Sequence, residues 1–244
     1  MRGERSKAWN ARRCVLVGSV AAVFAANPAH SQERVAPSQE IWAGADVTSA
    51  NWAVYSGMTA ALFGPLHANG WRIRAGGGYG EYSYRGLDQK IEGEFTFADA
   101  LIGYHHQLGN LTLKAFAGVA WAQHGLSVFD PENDVVGADF GVKVAIEGWL
   151  EITPSAWAQL DLSGATTHDT VFAARGRVGY RVTPELSFGP EAAASGGNKL
   201  EGWRVGGFAR YAWGRGEVSA SAGLSDSDVG GVGGFGTLNL LYKY

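Results

Sequence analysis

The sequence predicts an all-β fold: an antiparallel transmembrane β-barrel of about twelve strands, preceded by a cleaved signal peptide. Three observations point to it. From residue 41 onward, apolar and polar residues alternate with a period of two. The last stretch, 234–244 (GFGTLNLLYKY), shows this: Leu238, Leu240, Tyr242 and Tyr244 share one face, while Thr237, Asn239 and Lys243 share the other, interrupted only by Leu241. The composition is rich in Gly (36), Trp (9) and Tyr (9) and poor in Pro (7), with a mean hydropathy of −0.08, as alternating strands require and spanning helices do not. The N-terminus reads as a secretory signal. It has a basic lead (Arg2, Arg5, Lys7, Arg12, Arg13), an apolar run over 14–26, and Ala29-His30-Ser31 for cleavage before Gln32. The run is too short to span a membrane as a helix.

This divides the chain into a signal peptide (1–31), a short periplasmic lead (32–40) and a single outer-membrane barrel domain (41–244). Strand one covers 41–48, with Ile41, Ala43, Ala45 and Val47 facing away from Trp42, Gly44, Asp46 and Thr48. Strand two is 52–63, closed by Gly64-Pro65. Strand three, 71–84, sets Trp71, Ile73, Ala75 and Tyr79 against Arg72, Arg74 and the glycines of GGGYG. Strand four, 90–107, slips in parity near Phe97-Ala98, which predicts a bulge. Gly109-Asn110 turns into strand five (111–124), which is followed by the longest loop, 125–134. In strand six Ala138, Phe140, Val142, Val144, Ile146 and Leu150 alternate with Asp139, Lys143 and Glu147. Strands seven to eleven cover 156–163, 171–182, 186–194, 202–213 and 217–225, and the last stretch is strand twelve.

Strands of roughly ten residues are long enough to cross a bilayer when tilted. An even number of them places both ends on the periplasmic side, with tight turns there and longer loops, such as 125–134 and 164–169, outside. A sandwich would carry Lys, Glu and Thr on its polar faces. Here those positions are Gly, Ala and Ser with single charges of both signs, which suits a narrow lumen. Trp52, Trp71, Trp121, Trp203, Trp213, Tyr242 and Tyr244 fall near strand ends on the apolar face, as interfacial girdles do. Trp149 has the inward parity.

Without residues 1–31 the net charge is about −7, from 15 Lys+Arg against 22 Asp+Glu, so a nucleic-acid partner is not expected. The only cysteine, Cys14, lies in the signal, so disulfides, thiol catalysis and cysteine metal sites are excluded from the processed chain. Neither a cofactor nor a metal site is expected. GGGYG at 76–80 sits within a strand and precedes no helix, so it is not a phosphate loop.

The dense constellation is the set of inward charges: Asp46, Arg72, Arg74, Asp139, Lys143, Glu147, Asp161, Arg175, Arg177, Arg181, Arg204, Arg210 and Glu217. They read either as a selective channel or as a plug of mutual salt bridges that closes a small barrel, and the balance of signs favours the plug. Trp42, Tyr82, Tyr84 and Trp157, with Gln159 and Asp161, are candidate contacts for sugar rings. His105 and His106 are adjacent in a strand and must face opposite ways. His124 with Ser127 and Asp130 suggests a hydrolase triad, but no motif supports an enzyme.

The stretches WAGADVTSANWAVYSGMTAALFGPL (42–66), GWRIRAGGGYGEYSYRG (70–86), ADALIGYHHQ (98–107) and LSFGPEAAASG (186–196) resemble the cellulose biosynthesis protein BcsS family. The resemblance covers essentially the whole processed chain. It implies an outer-membrane accessory barrel of a bacterial cellulose operon in a Gram-negative cell. Its partners would be outer-membrane lipid, cellulose or another β-glucan, and other cellulose-secretion proteins. The alternatives are a structural or narrow solute-channel barrel and an outer-membrane lipid hydrolase.

Overall fold

The computed structural model describes residues 36–86, 89–131, 133, 135–197, 200–228 and 230–244. The expected signal peptide (1–31) and most of the expected lead (32–40) lie outside them. Twelve strands follow in chain order: β1 (Gln39–Thr48), β2 (Asn51–Ala61), β3 (Gly70–Gly86), β4 (Gln89–Leu108), β5 (Leu111–Leu126), β6 (Gly137–Thr153), β7 (Ala156–Ala165), β8 (Val171–Arg181), β9 (Leu186–Gly197), β10 (Leu200–Trp213), β11 (Gly216–Ser227) and β12 (Gly233–Lys243). Each pairs antiparallel with its neighbours in sequence, and β1 pairs with β12, so the sheet closes on itself with no free long edge. The closing register runs from Glu40↔Lys243 to Thr48↔Phe235. β1 starts two residues before the expected Ile41 because Gln39 exchanges backbone hydrogen bonds with Tyr244.

The alternation translates directly into two surfaces. Ile73, Ile102, Val119, Phe140, Val142, Val144, Ile146, Leu160, Val178, Val205 and Leu238 all point outward and are exposed, a surface that is stable only against lipid. Two aromatic girdles bound this band. Trp71, Tyr104, Tyr180, Tyr211, Trp213 and Tyr244 lie at the near mouth, where residues 36–38 and Tyr244 meet. Trp52, Tyr79, Trp121, Phe172 and Trp203 lie toward the far mouth. Trp71 and Tyr104 meet edge to face at 5.5 Å.

Three expectations are corrected. β3 to β6 have 16 to 20 residues rather than about ten, so they rise beyond the lipid band at the far mouth. Their outward residues there are charged: Glu81, Glu92, Glu94, Arg85 and Lys90. No bulge occurs at Phe97-Ala98, because β4 keeps one register with both neighbours throughout. The parity slips there because Phe95, Phe97 and Leu101 are apolar residues that face inward. Among the described residues the register shifts only between Glu151 and Thr153 of β6. Finally, the links do not sort cleanly by side. The tight turns at 109–110, 154–155, 182–185 and 214–215 are at the near mouth, and the long link 127–136 is at the far mouth. Yet 62–69 is a long link at the near mouth, and 49–50 is a short one at the far mouth. Gly109 supports its turn with φ 58°, a left-handed conformation that costs glycine nothing.

Candidate functional site

The inward faces of all twelve strands line a cavity of about 1310 Å3. Its lining includes Pro37, Glu40 and Lys243 at the near mouth and Asn51, Ser225 and Ser227 at the far mouth, so it runs the height of the barrel. The expected plug is therefore corrected: the charges do pair, but they pair along the wall and leave the axis open. Asp161 takes two hydrogen bonds from Arg175 on the adjacent strand (2.7 and 3.1 Å) and another from Gln159 (2.9 Å). Arg210 pairs with Glu217 at 2.5 Å and Arg181 with Glu151 at 2.7 Å. Longer chords skip two strands. Arg74 of β3 reaches Glu147 of β6 (2.5 Å), which also receives Lys114 (3.1 Å), and Arg204 of β10 reaches Asp46 of β1 (3.2 Å). Lys143 pairs with Asp99 at 2.5 Å.

The most secluded pair is Arg177–Glu191 at 2.5 Å, with side chains 4% and 0% exposed. Ser221 donates to Glu191 (2.9 Å) and accepts from Arg177 (3.1 Å), and the guanidinium lies 5.1 Å from the centre of the Phe208 ring. Hydrogen bonds supplement the Coulomb attraction here, the condition under which a buried pair offsets its desolvation.

Two predicted members do not join this network. Arg72 is 1% exposed and donates to the carbonyls of Pro65, Leu66, Ala68 and Trp71, so it holds the 62–69 link against the near mouth. Asp139 accepts from the backbone of His168 (2.6 Å) and ties the 166–170 link to β6. Conversely, Glu40, Asp99, Lys114, Glu151 and Glu191 belong to the network and were missed. Lys114 and Glu191 have the inward parity and could have been read. Asp99 was hidden by the supposed bulge.

The aromatic candidates also separate. Trp42 reaches from β1 across β2 to β3 because Gly57 and Gly76 leave no side chain beneath its indole, and the Arg74 guanidinium sits 4.9 Å from its centre. Trp157 is no sugar contact. It is 0% exposed, stacked on Trp149 at 4.2 Å, seated on Gly179 and donating to Ser187 (3.3 Å). The ring of this wall that lines the cavity is Trp149. Tyr82 and Tyr84 stack at 6.2 Å near the far mouth, where Tyr84 donates to Asp130 (2.7 Å) and accepts from Asn133 (2.8 Å).

The histidines do not assemble a hydrolase. His105 faces in and His106 out, as the strand requires. His124 rests on Phe95 (5.9 Å) and His168 (5.1 Å). Ser127 accepts from the Glu92 backbone and Asp130 serves Tyr84, so the imagined triad partners are engaged elsewhere. Among the described residues no three His, Cys, Asp or Glu side chains are placed to hold a metal ion.

Solved barrels share the architecture. The β domain of the Bordetella autotransporter Brka is 13% identical, with 86% of this chain and 100% of that chain covered and a TM-score of 0.52. The translocator domain of the autotransporter NalP from Neisseria meningitidis is 11% identical, with 87% and 90% covered and a TM-score of 0.50. At such identities the likeness concerns the fold alone, that of Gram-negative outer-membrane barrels. No curated protein matches the chain. The family model described as cellulose biosynthesis protein BcsS matches residues 41–244, all but the first two residues of the strand-bearing region, and the chain belongs to that family, which is associated with cellulose biosynthesis.

Proposed function

We propose that this protein is an accessory barrel of the Gram-negative outer membrane, reached through a signal cleaved before Gln32, and that it assists the export or surface organisation of cellulose or a related β-glucan. The observation that carries this reading is the mouth-to-mouth cavity whose charges are already paired along the wall. A neutral polyhydroxyl chain needs donors, acceptors and flat apolar faces along its path, not a net field. Ion-paired walls offer the first two without a strong potential, and Trp42 and Trp149 offer the third. In this role the barrel has no chemistry of its own and works beside other cellulose-secretion proteins.

Deleting the gene is expected to change the amount, location or fibre morphology of cellulose, measured by dye binding, glucose release and electron microscopy. If all three are unchanged, the reading is wrong. Trp42→Ala and Trp149→Ala are expected to reproduce part of the deletion phenotype. If only changes in the 127–136 link do so, the polymer is contacted at the loops, where Phe129 is exposed, rather than threaded.

A narrow solute channel is the second reading, favoured by the same cavity. Planar-bilayer recordings of refolded protein are expected to show small currents with weak ion selectivity, because paired charges of both signs leave little net field. Large, steady, strongly selective currents would favour an ion channel instead.

A further inference from the structure

The glycine-rich strand β3 carries more than a gap. Going down its inward face from Tyr84 at the far mouth to Gly76, every level holds an aromatic ring. Tyr84 and Tyr82 supply the first two themselves, and Tyr82 lies over Gly93 of β4. Phe95 lies over Gly80 and Phe97 over Gly78, each reaching back from its register partner on β4. At Gly76 the ring is that of Trp42, reaching across from β1. The centroid gaps are 6.2 Å from Tyr84 to Tyr82, 6.2 Å from Tyr82 to Phe95 and 6.3 Å from Phe95 to Phe97. They match the two-residue rise of a strand, about 6.6 Å. A β-carbon at Gly76, Gly78 or Gly80 would occupy the space of these rings, so the glycines are what let the rings lie against the wall.

We propose that the rings of this row that line the cavity, Trp42, Phe97 and Phe95, form a stacking track for a single β-1,4-linked glucan chain in the lumen, with Tyr82 and Tyr84 continuing the row toward the far mouth. The inference rests on the glucan reading above and names the residues that would hold the polymer. An extended β-glucan is a flat ribbon. Its axial C–H groups cover both faces, and its hydroxyls project from the edges. The faces suit the negative face of an aromatic ring, and the edges need polar partners beside the row. Such a partner is present. Asp99 follows Phe97 on the same face of β4 and lines the cavity. One of its oxygens holds Lys143, which also lines the cavity, is more exposed, and has further N–H donors for a sugar hydroxyl. At the inner end, Arg74 covers Trp42 and offers donors where the row stops.

The test uses the full processed chain, refolded in detergent, titrated calorimetrically with cellohexaose, cellotriose and maltohexaose. Cellohexaose is expected to bind more tightly than cellotriose, since it covers more rings, and more tightly than the coiled α-linked hexamer. Phe95→Leu/Phe97→Leu keeps apolar bulk but removes both flat faces, and is expected to weaken cellohexaose binding by about five-fold or more. Its heat-modifiable gel mobility reports folding independently. An unchanged affinity in a folded double variant, or no cellohexaose binding by the wild type, overturns the track. The pathway role is judged apart from this. A deletion strain with altered cellulose and a barrel that binds no glucan keeps the role and removes the track. A deletion strain without phenotype and a barrel that binds through these rings does the reverse.

Discussion

Glu191→Gln is expected to lower the free energy of unfolding by about 3–5 kcal/mol, among the largest losses that any single substitution in this barrel would cause. The side chain is 0% exposed, and it holds Arg177 at 2.5 Å while Arg204 approaches to 3.8 Å. The amide is nearly isosteric, so packing is preserved and only the charge is removed. Arg177 would then keep Ser221 and the Phe208 face but no counter-ion, in a place water barely reaches. Urea-driven unfolding in lipid vesicles, followed by tryptophan fluorescence, measures the loss. Replacing both partners, as in Arg177→Met/Glu191→Leu, is expected to recover most of it, because an apolar pair carries no desolvation cost. If Glu191→Gln unfolds like the wild type, water reaches the pair and the wall is more open than its geometry indicates.

Trp157→Ala is expected to cost a similar amount, about 3–5 kcal/mol, for a different reason. The indole fills the space between Trp149, Phe208 and the backbone of Gly179, and its removal leaves a cavity with rigid sheet on one side. Trp149 would lose the ring it stacks on, and Arg210 one of its two aromatic neighbours. Trp157→Phe should lose less, since a smaller ring still covers Gly179. A folded Trp157→Phe variant is expected to bind cellohexaose like the wild type, because residue 157, though on the inward face, is covered by its neighbours and lines no part of the cavity. A selective loss of glucan binding with stability intact would show instead that the polymer reaches this ring.

Much of this was legible in the sequence, and the physics says which part. A barrel wall in lipid must present apolar residues at every second position, so Ala138 to Leu150 of β6 and Leu111 to Trp121 of β5 announced both their strands and their outward faces. Girdle positions such as Trp71 and Trp213 were readable for the same reason. The resemblance that placed the chain in its family was legible too, from residues that need no structure to compare.

The inward face obeys no such rule. It can hold anything that fits, so period two says which residues share the lumen but not which of them meet. Arg74 and Glu147 lie three strands apart, as do Arg204 and Asp46 around the closure, and their contacts exist only once β1 and β12 have paired in one register. In β4 the inward Phe95 and Phe97 resembled a bulge, because an apolar residue inside a polar lumen breaks the pattern on which the reading depends. Only the register Gly80↔Phe95 and Gly78↔Phe97 shows that the glycines of one strand are seats for the rings of the next. The sequence by itself determined the membrane, the strands and the two faces, since those follow from solvent and spacing. The open axis, the burial of Trp157 and the row of rings along β3 were decided by the closed sheet, since they depend on which side chains the curvature and register bring within reach.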